Sequence, residues 1–136
     1  MKITREADYA LRIVSILSGE KTHTGARQIA EQSKVPYRFT LKILSKLLQA
    51  GLIKSFRGVN GGYAVNHPAA QITLLQVIEA IDGPIAINQC MVDPDICSNT
   101  GVCKVQKNLY QVQKMLADKL SQITFEDILN DEDCTK

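Results

Sequence analysis

ARQIAEQSKVPYRFTLKILSKLLQAG, residues 26–51, is the stretch whose reading decides the fold. Ala26 to Gln32 has the spacing of a short helix with Ile29 and Ala30 turned inward. Ser33, Lys34 and Val35 leave room only for a tight connection. Pro36 then stands where proline is tolerated, at the opening of a further helix, and Gly51 stops that helix. Leu41, Ile43, Leu44, Leu47 and Leu48 are assigned to its core side. Arg38, Lys42, Ser45, Lys46 and Gln49 step by four, three, one and three, which lays them on one polar stripe. Three cations and no acid on an outer stripe suit a helix that enters the DNA major groove. Cations offset phosphate repulsion, and Arg can bond a guanine edge bidentately. An ordinary solvated face is the plain alternative.

Upstream, Ala7, Ala10, Leu11, Val14 and Leu17 recur at helical steps between Thr4, a cap, and Gly19, a stop. A polar link follows from Glu20 to Thr24. Downstream, Leu52–Phe56 reads as a strand, 57–62 as a turn and Tyr63–Val65 as the returning strand. Asn60-Gly61 is expected to supply the left-handed conformations of a tight hairpin. Helix, short helix, tight turn, helix and hairpin make a winged helix-turn-helix over residues 1–67. Arg57 lies at the base of the wing among glycines that permit close approach, where an arginine enters a minor groove or pairs with phosphate.

Residues 73–81, TLLQVIEAI, form a short apolar helix capped by Thr73, so 68–83 is assigned as a bridging helix against the DNA-binding domain. Val102, Val105, Leu109, Val112, Leu116, Leu120 and Ile123 then follow an a/d spacing. This predicts a long dimerisation helix within residues 102–136, with a helix folded onto its own domain as the alternative. Thr124 caps a last short helix, with Asp127 three residues on in the manner of a capping box. Asp131 to Cys134 is read as a frayed tail. The fold class expected is therefore mainly α: a winged helix-turn-helix with a small β-hairpin wing and a long C-terminal dimerisation helix.

The charge agrees with two jobs. The chain of 136 residues carries a net +2, but residues 1–67 hold eleven Lys and Arg against four Asp and Glu, and residues 68–136 hold five against ten. A basic front half implies a polyanionic partner, here double-stranded DNA, unless the clustering is chance. Hydrophobic residues are 45% and charged residues 22%, as in a folded globular domain. No apolar run reaches the ~18 residues of a membrane helix. The N-terminal stretch is broken by Glu6, Asp8 and Arg12 and is no secretory signal, so a cytoplasmic protein with no membrane partner is expected. An enzyme is not expected. There is no nucleophile–base set, no phosphate loop and no paired catalytic carboxylates, and so no small-molecule substrate is assigned.

Between Gly83 and Gly101 runs IAINQCMVDPDICSNT, an irregular polar loop. Cys90, Cys97 and Cys103 are spaced C-x6-C-x5-C, two in the loop and the third at the start of the long helix. Structural zinc uses closer pairs than these. Three wider-spaced thiolates can wrap an iron–sulfur cluster; another metal or a metal-free thiol switch stays open on spacing alone.

Three features together resemble one known family. They are the opening ITREADYALR (Ile3 to Arg12), the wing RGVNGGY (Arg57 to Tyr63) and the cysteine trio ahead of a long helix. The chain resembles the Rrf-two-type transcription regulators over essentially its whole length, with its nearest likeness among the iron–sulfur branches. The resemblance implies a homodimer with an antiparallel pair of long helices. It also implies a cluster (2Fe-2S or 4Fe-4S) held by three cysteines and one other ligand, matched here by Cys90, Cys97 and Cys103. The histidine that one branch places three residues after the last cysteine is Gln106 here. The aspartate that the nitric-oxide-sensing branch supplies from the partner's opening helix is matched by Asp8; a first-turn acid of a helix is the alternative for it. His23 and His67 match no ligand and are read as surface residues. In a DNA complex Tyr37, Arg38, Thr40 and Lys42 are expected at base edges. Lys46 and Lys54 are expected on phosphates, and Arg57 with Gly61 at the minor groove. Two rivals are a cluster-free regulator of the same family, acting through thiols or a partner protein, and a small iron–sulfur or redox carrier without DNA.

Overall fold

The computed structural model describes residues 2–132. The end of the acidic tail, Asp133 and Cys134 included, lies outside the described residues. In chain order the elements are α1 (Arg5–Gly19), α2 (Ala26–Ser33), α3 (Tyr37–Gln49), β1 (Ile53–Phe56), β2 (Gly62–Val65), α4 (Leu74–Asp82), α5 (Lys104–Gln122) and α6 (Phe125–Asn130), with single 3-10 turns between. The mainly helical architecture with a two-stranded wing is the one the sequence predicts.

Each boundary has a local cause. The Thr4 hydroxyl accepts from the Ala7 N–H and starts α1. Lys34 closes α2 in the left-handed region, φ 56 and ψ 37, where its N–H returns to Ala30 and Glu31 carbonyls. Pro36, expected as the first residue of α3, is its N-cap, so the helix starts one residue later, and Gly51 (φ 75) follows its end. Thr73 and Thr124 each form a full capping box, with Gln76 and Asp127.

The hairpin pairs Ile53 with Val65 and Phe56 with Gly62 in antiparallel register. The expectation for its turn is corrected. The left-handed residue is Gly58 (φ 105), while Asn60 and Gly61 keep negative φ. Gly61 is required for space instead, because a Cβ there would lie 2.2 Å from the Phe56 carbonyl oxygen. Thr24, assigned to a polar link, pairs with Tyr63 through two 2.9 Å backbone bonds and lengthens the small sheet by one bridge.

The core is aliphatic and centred on α1, whose Ala7, Ala10, Ile13, Val14 and Leu17 are all buried. Ile13 is buried where Leu11 was expected. Leu11 lies at the edge of the core, half-buried. Around α1 pack α2, α3, α4 and α6. The chain leaving α5 returns to the segment ahead of α4: the Leu74 N–H donates to the Ile123 carbonyl and the Phe125 N–H to the Ile72 carbonyl. Phe125 is thereby sealed in the same core as Ile13 and Leu17, at 0% exposure. The bridging helix α4 also packs on α1, as expected.

One helical assignment changes. On α3, Thr40 is fully buried and Leu41 is 41% exposed, the reverse of the expectation. Thr40, Ile43, Leu44 and Leu47 form the inward i, i+3, i+4, i+7 set, and Leu41 joins Arg38 and Ser45 outside. On α5 no residue is buried. Val105, Tyr110, Val112 and Met115 are exposed, while Leu109, Leu116 and Leu120 are half-covered, and α4 is the main helix packed against α5.

Phe125→Ala should cost about 3–5 kcal/mol, the usual loss for a large aromatic removed from a closed core. Urea unfolding of variant and wild type measures it; a loss below about 1 kcal/mol would show that α6 is a loosely attached end.

Candidate nucleic-acid interface and cysteine loop

The outward stripe of α3 carries Arg38, Leu41, Lys42, Ser45 and Gln49, all exposed, with Lys46 half-covered at its edge. Tyr37, at the first turn, is 39% exposed, and the Arg27 guanidinium of α2 lies over its ring at 4.6 Å. Arg27 was not singled out from sequence, and it adds a cation beside the helix start. Arg38 leans on the Phe39 ring at 5.6 Å. Thr40 does not belong to this surface: its hydroxyl donates to the Val35 and Pro36 carbonyls at 3.3 and 3.2 Å, inside the turn between α2 and α3. It cannot reach a base edge.

The lysines are not free. Lys42 Nζ donates to Glu6 Oε1 at 2.7 Å and Lys46 Nζ to Glu6 Oε2 at 2.9 Å. Hydrogen bonds from these two ammonium groups, Lys42 first, hold the Glu6 carboxyl down from an ordinary 4.5 to about 2. The stripe that reads as acid-free in sequence thus takes an acid from another helix. Nothing in the spacing announces it, because Glu6 lies 36 and 40 residues from its partners.

On the wing, Arg57 and Lys54 are exposed and Lys54 Nζ stands 5.6 Å from the Phe56 ring. Val59 at the tip is wholly exposed. Gly61 is half-covered, and its N–H closes the turn onto the Gly58 carbonyl at 3.0 Å. His23 is more than a surface residue. Its ring stacks on Phe56 with centroids 4.8 Å apart, and its Nε2 bonds the Asn60 carbonyl oxygen, fixing the wing to the segment between α1 and α2.

The cysteine loop, 83–103, has no buried residue. Cys90 and Cys103 line one groove of about 740 Å³ with Met91, Pro94, Gln106 and Tyr110. Cys97 is exposed and outside that lining. All three are free thiols. Cys103 is the N-cap of α5, its sulfur accepting from the Gln106 N–H at 3.5 Å. Gln106 stitches the loop: its amide oxygen accepts from the Gly101 N–H and its amide nitrogen donates to the Cys90 carbonyl. Asp8 lies elsewhere, paired with Arg12 at 2.7 Å in a depression that contains no cysteine. Among the described residues no three Cys, His, Asp or Glu side chains stand close enough to share a metal. The donors suit an iron–sulfur cluster in kind: three thiols at a helix start and on a loop with little packing to lose. Within one protomer they do not yet form a closed set.

A connection from this loop to α1 was not legible in sequence. Asp82, the last residue of α4, accepts from the Thr4 N–H at 3.1 Å and from the Thr4 hydroxyl. Gly83 (φ 79) then begins the loop.

Residues 3–131 match the family model described as Rrf2, iron-dependent transcriptional regulator. The chain belongs to the Rrf2 family. An Rrf2-like helix-turn-helix regulator of Rhodobacter capsulatus is 30% identical over 137 residues, 93% of this chain and 91% of that protein. Among solved structures, a transcriptional regulator from Listeria innocua is 28% identical with a TM-score of 0.78, covering 98% and 90% of the two chains. The fold is shared with CymR, the global cysteine regulator of B. subtilis (TM-score 0.78, 23% identity, 98% and 99%), and with IscR of T. potens (TM-score 0.75, 22% identity, 95% and 86%). The chain is a transcriptional regulator of this family and not an enzyme. Among the described residues no helix is long and apolar enough to cross a membrane.

The Glu6 fork sets a pH dependence. Its folded pKa is the depressed one, so it favours the folded chain fully above about pH 4.5 and loses that contribution as pH falls toward about 2. The urea midpoints of wild type and Glu6→Gln, apart at neutral pH, should converge through this window. Asp127, also held below its usual range by the Thr124 N–H and hydroxyl, titrates in both proteins and cancels in the difference. A gap constant down to about pH 2 would show that the fork adds nothing to the fold.

Proposed function

We propose that the chain is a homodimeric DNA-binding transcription regulator, acting as a repressor in the cytoplasm, whose operator affinity is set by an iron–sulfur cluster. The observation that carries the DNA reading is the α3 stripe, with Arg38, Lys42, Ser45 and Gln49 outward, followed at once by a wing bearing Lys54 and Arg57. In this reading Tyr37, Arg38 and Lys42 meet base edges, Lys46 and Lys54 hold phosphates, and Arg57 enters the minor groove with Gly61 letting the backbone approach.

The homodimer rests on α5. A 19-residue helix with no buried residue leaves Val105, Val112 and Met115 in water, and an antiparallel copy of the same helix would cover them. Two such subunits present two α3 helices, and a spacing of about 34 Å matches successive turns of one DNA face.

Cys90, Cys97 and Cys103, with Asp8 of the partner subunit, would hold the cluster. It would supply an oxidisable, nitric-oxide-reactive link among the thiolates. The rest is done by the chain: ordering the loop fixes Gly83 and so the Asp82 clasp on Thr4, the start of the helix that packs against α3. A second reading, a cluster-free regulator using thiols or a partner protein, is favoured by Cys97 standing outside the groove that Cys90 and Cys103 share.

Anaerobically purified protein should be brown, with absorbance near 400 nm that Cys97→Ala abolishes and Asp8→Ala shifts. A colourless protein that still binds DNA selects the second reading. Operator affinity should fall roughly a thousandfold between about 50 and 200 mM salt. A salt-indifferent protein would be the redox carrier instead.

A further inference from the structure

We propose that Glu6 is an internal phosphate mimic: its carboxylate occupies Lys46 and Lys42, both of which the backbone of DNA of arbitrary sequence would otherwise take where Lys42 has no base edge to read, and so restrains binding to such DNA. The inference rests on the DNA-binding reading above.

The geometry is that of a phosphate held by two cations. One carboxylate oxygen takes Lys42 at 2.7 Å and the other takes Lys46 at 2.9 Å. The lysines are one turn apart on α3, so their ammonium groups repel unless an anion stands between them. Among the described residues these are the only ion pairs α3 makes. Besides Arg38 they are its only cations, so Glu6 engages two of the three and offsets one of their two charges. Lys42 stays 54% exposed and Lys46 36%, which leaves the pair open to a phosphate oxygen arriving from solvent.

The Glu6 backbone stays beside the lysines when a phosphate arrives. It lies in the first turn of α1, whose start is fixed by the Thr4 cap and by the Asp82 clasp on Thr4. Two costs follow for any complex. The lysines enter with one of their two charges already offset, so fewer counterions are released from the duplex. The displaced carboxylate also stands unpaired beside a phosphate. Binding to arbitrary DNA consists almost wholly of phosphate contacts and has little else to offset this cost. An operator complex keeps its base-edge bonds.

The test uses the full chain and a mixed-sequence duplex, with affinity measured across a salt series. Glu6→Gln keeps the side chain's shape and removes its charge. It should bind about tenfold tighter, with the slope of log affinity against log salt steeper by about 0.9, one phosphate's worth. The gain should vanish in a Lys42→Gln/Lys46→Gln background, and Glu126→Gln, an exposed acid on α6, should give none. Unchanged or weaker binding by Glu6→Gln, or a gain that persists without the lysines or appears equally with Glu126→Gln, overturns the proposal. If Glu6→Gln changes nothing while the wild type binds with a normal salt slope, only this inference falls. If the wild type shows no salt-dependent binding, the DNA reading falls with it.

Discussion

Everything in this molecule leans on the burial of α1. Its inward residues are small on the first turns, Ala7 and Ala10, and large further on, Ile13, Val14 and Leu17. Small residues let neighbouring backbones come close, and the branched ones fill the space where α2, α3, α4 and α6 meet. One helix therefore serves as the shared wall of the DNA-reading unit and of the C-terminal half. Phe125, contributed from near the far end of the chain, closes that wall. A shift of α1 moves the recognition helix and the C-terminal elements together, because interiors at this density transmit displacement rather than absorb it.

The polar side of the same helix makes the second set of connections. Thr4 meets Asp82 at the hinge of the cysteine loop, Glu6 meets the recognition helix, and Asp8 meets Arg12. These groups lie within two turns of one another. The cysteine loop and the polar stripe of α3 are thus joined through a single helix start, by bonds that are largely exposed and individually weak. Weak bonds at such a place are well suited to exchange partners: a phosphate for a carboxylate at Lys42, or a reordered loop at Asp82.

Much of this was legible in the sequence, for reasons that are local. Thr4, Thr73 and Thr124 cap their helices because hydroxyl-to-backbone geometry spans only three residues. The α3 stripe is largely right because helical phase needs no knowledge of neighbours. The errors are local too, but finer than the pattern could resolve. Thr40 and Leu41 differ by one step of about 100°. A leucine outranks a threonine in any hydrophobic tally, yet the turn from Val35 offers carbonyls that satisfy a buried hydroxyl. At the wing, the count of glycines was informative but their roles were exchanged. Gly58 supplies the positive φ and Gly61 the space.

The sequence by itself determined the element order, the caps, the basic front and acidic back, and the presence of three thiols ahead of a long helix. These follow from spacing and side-chain chemistry within a few residues. Only the tertiary structure decided that Glu6 would pair with the two lysines of α3, that His23 would brace the wing, that Asp82 would clasp Thr4 and that Phe125 would return to the first helix. Each of these pairs residues more than thirty positions apart. Such pairings are chosen by the packing of whole helices, which leaves no period or spacing in the linear chain to read.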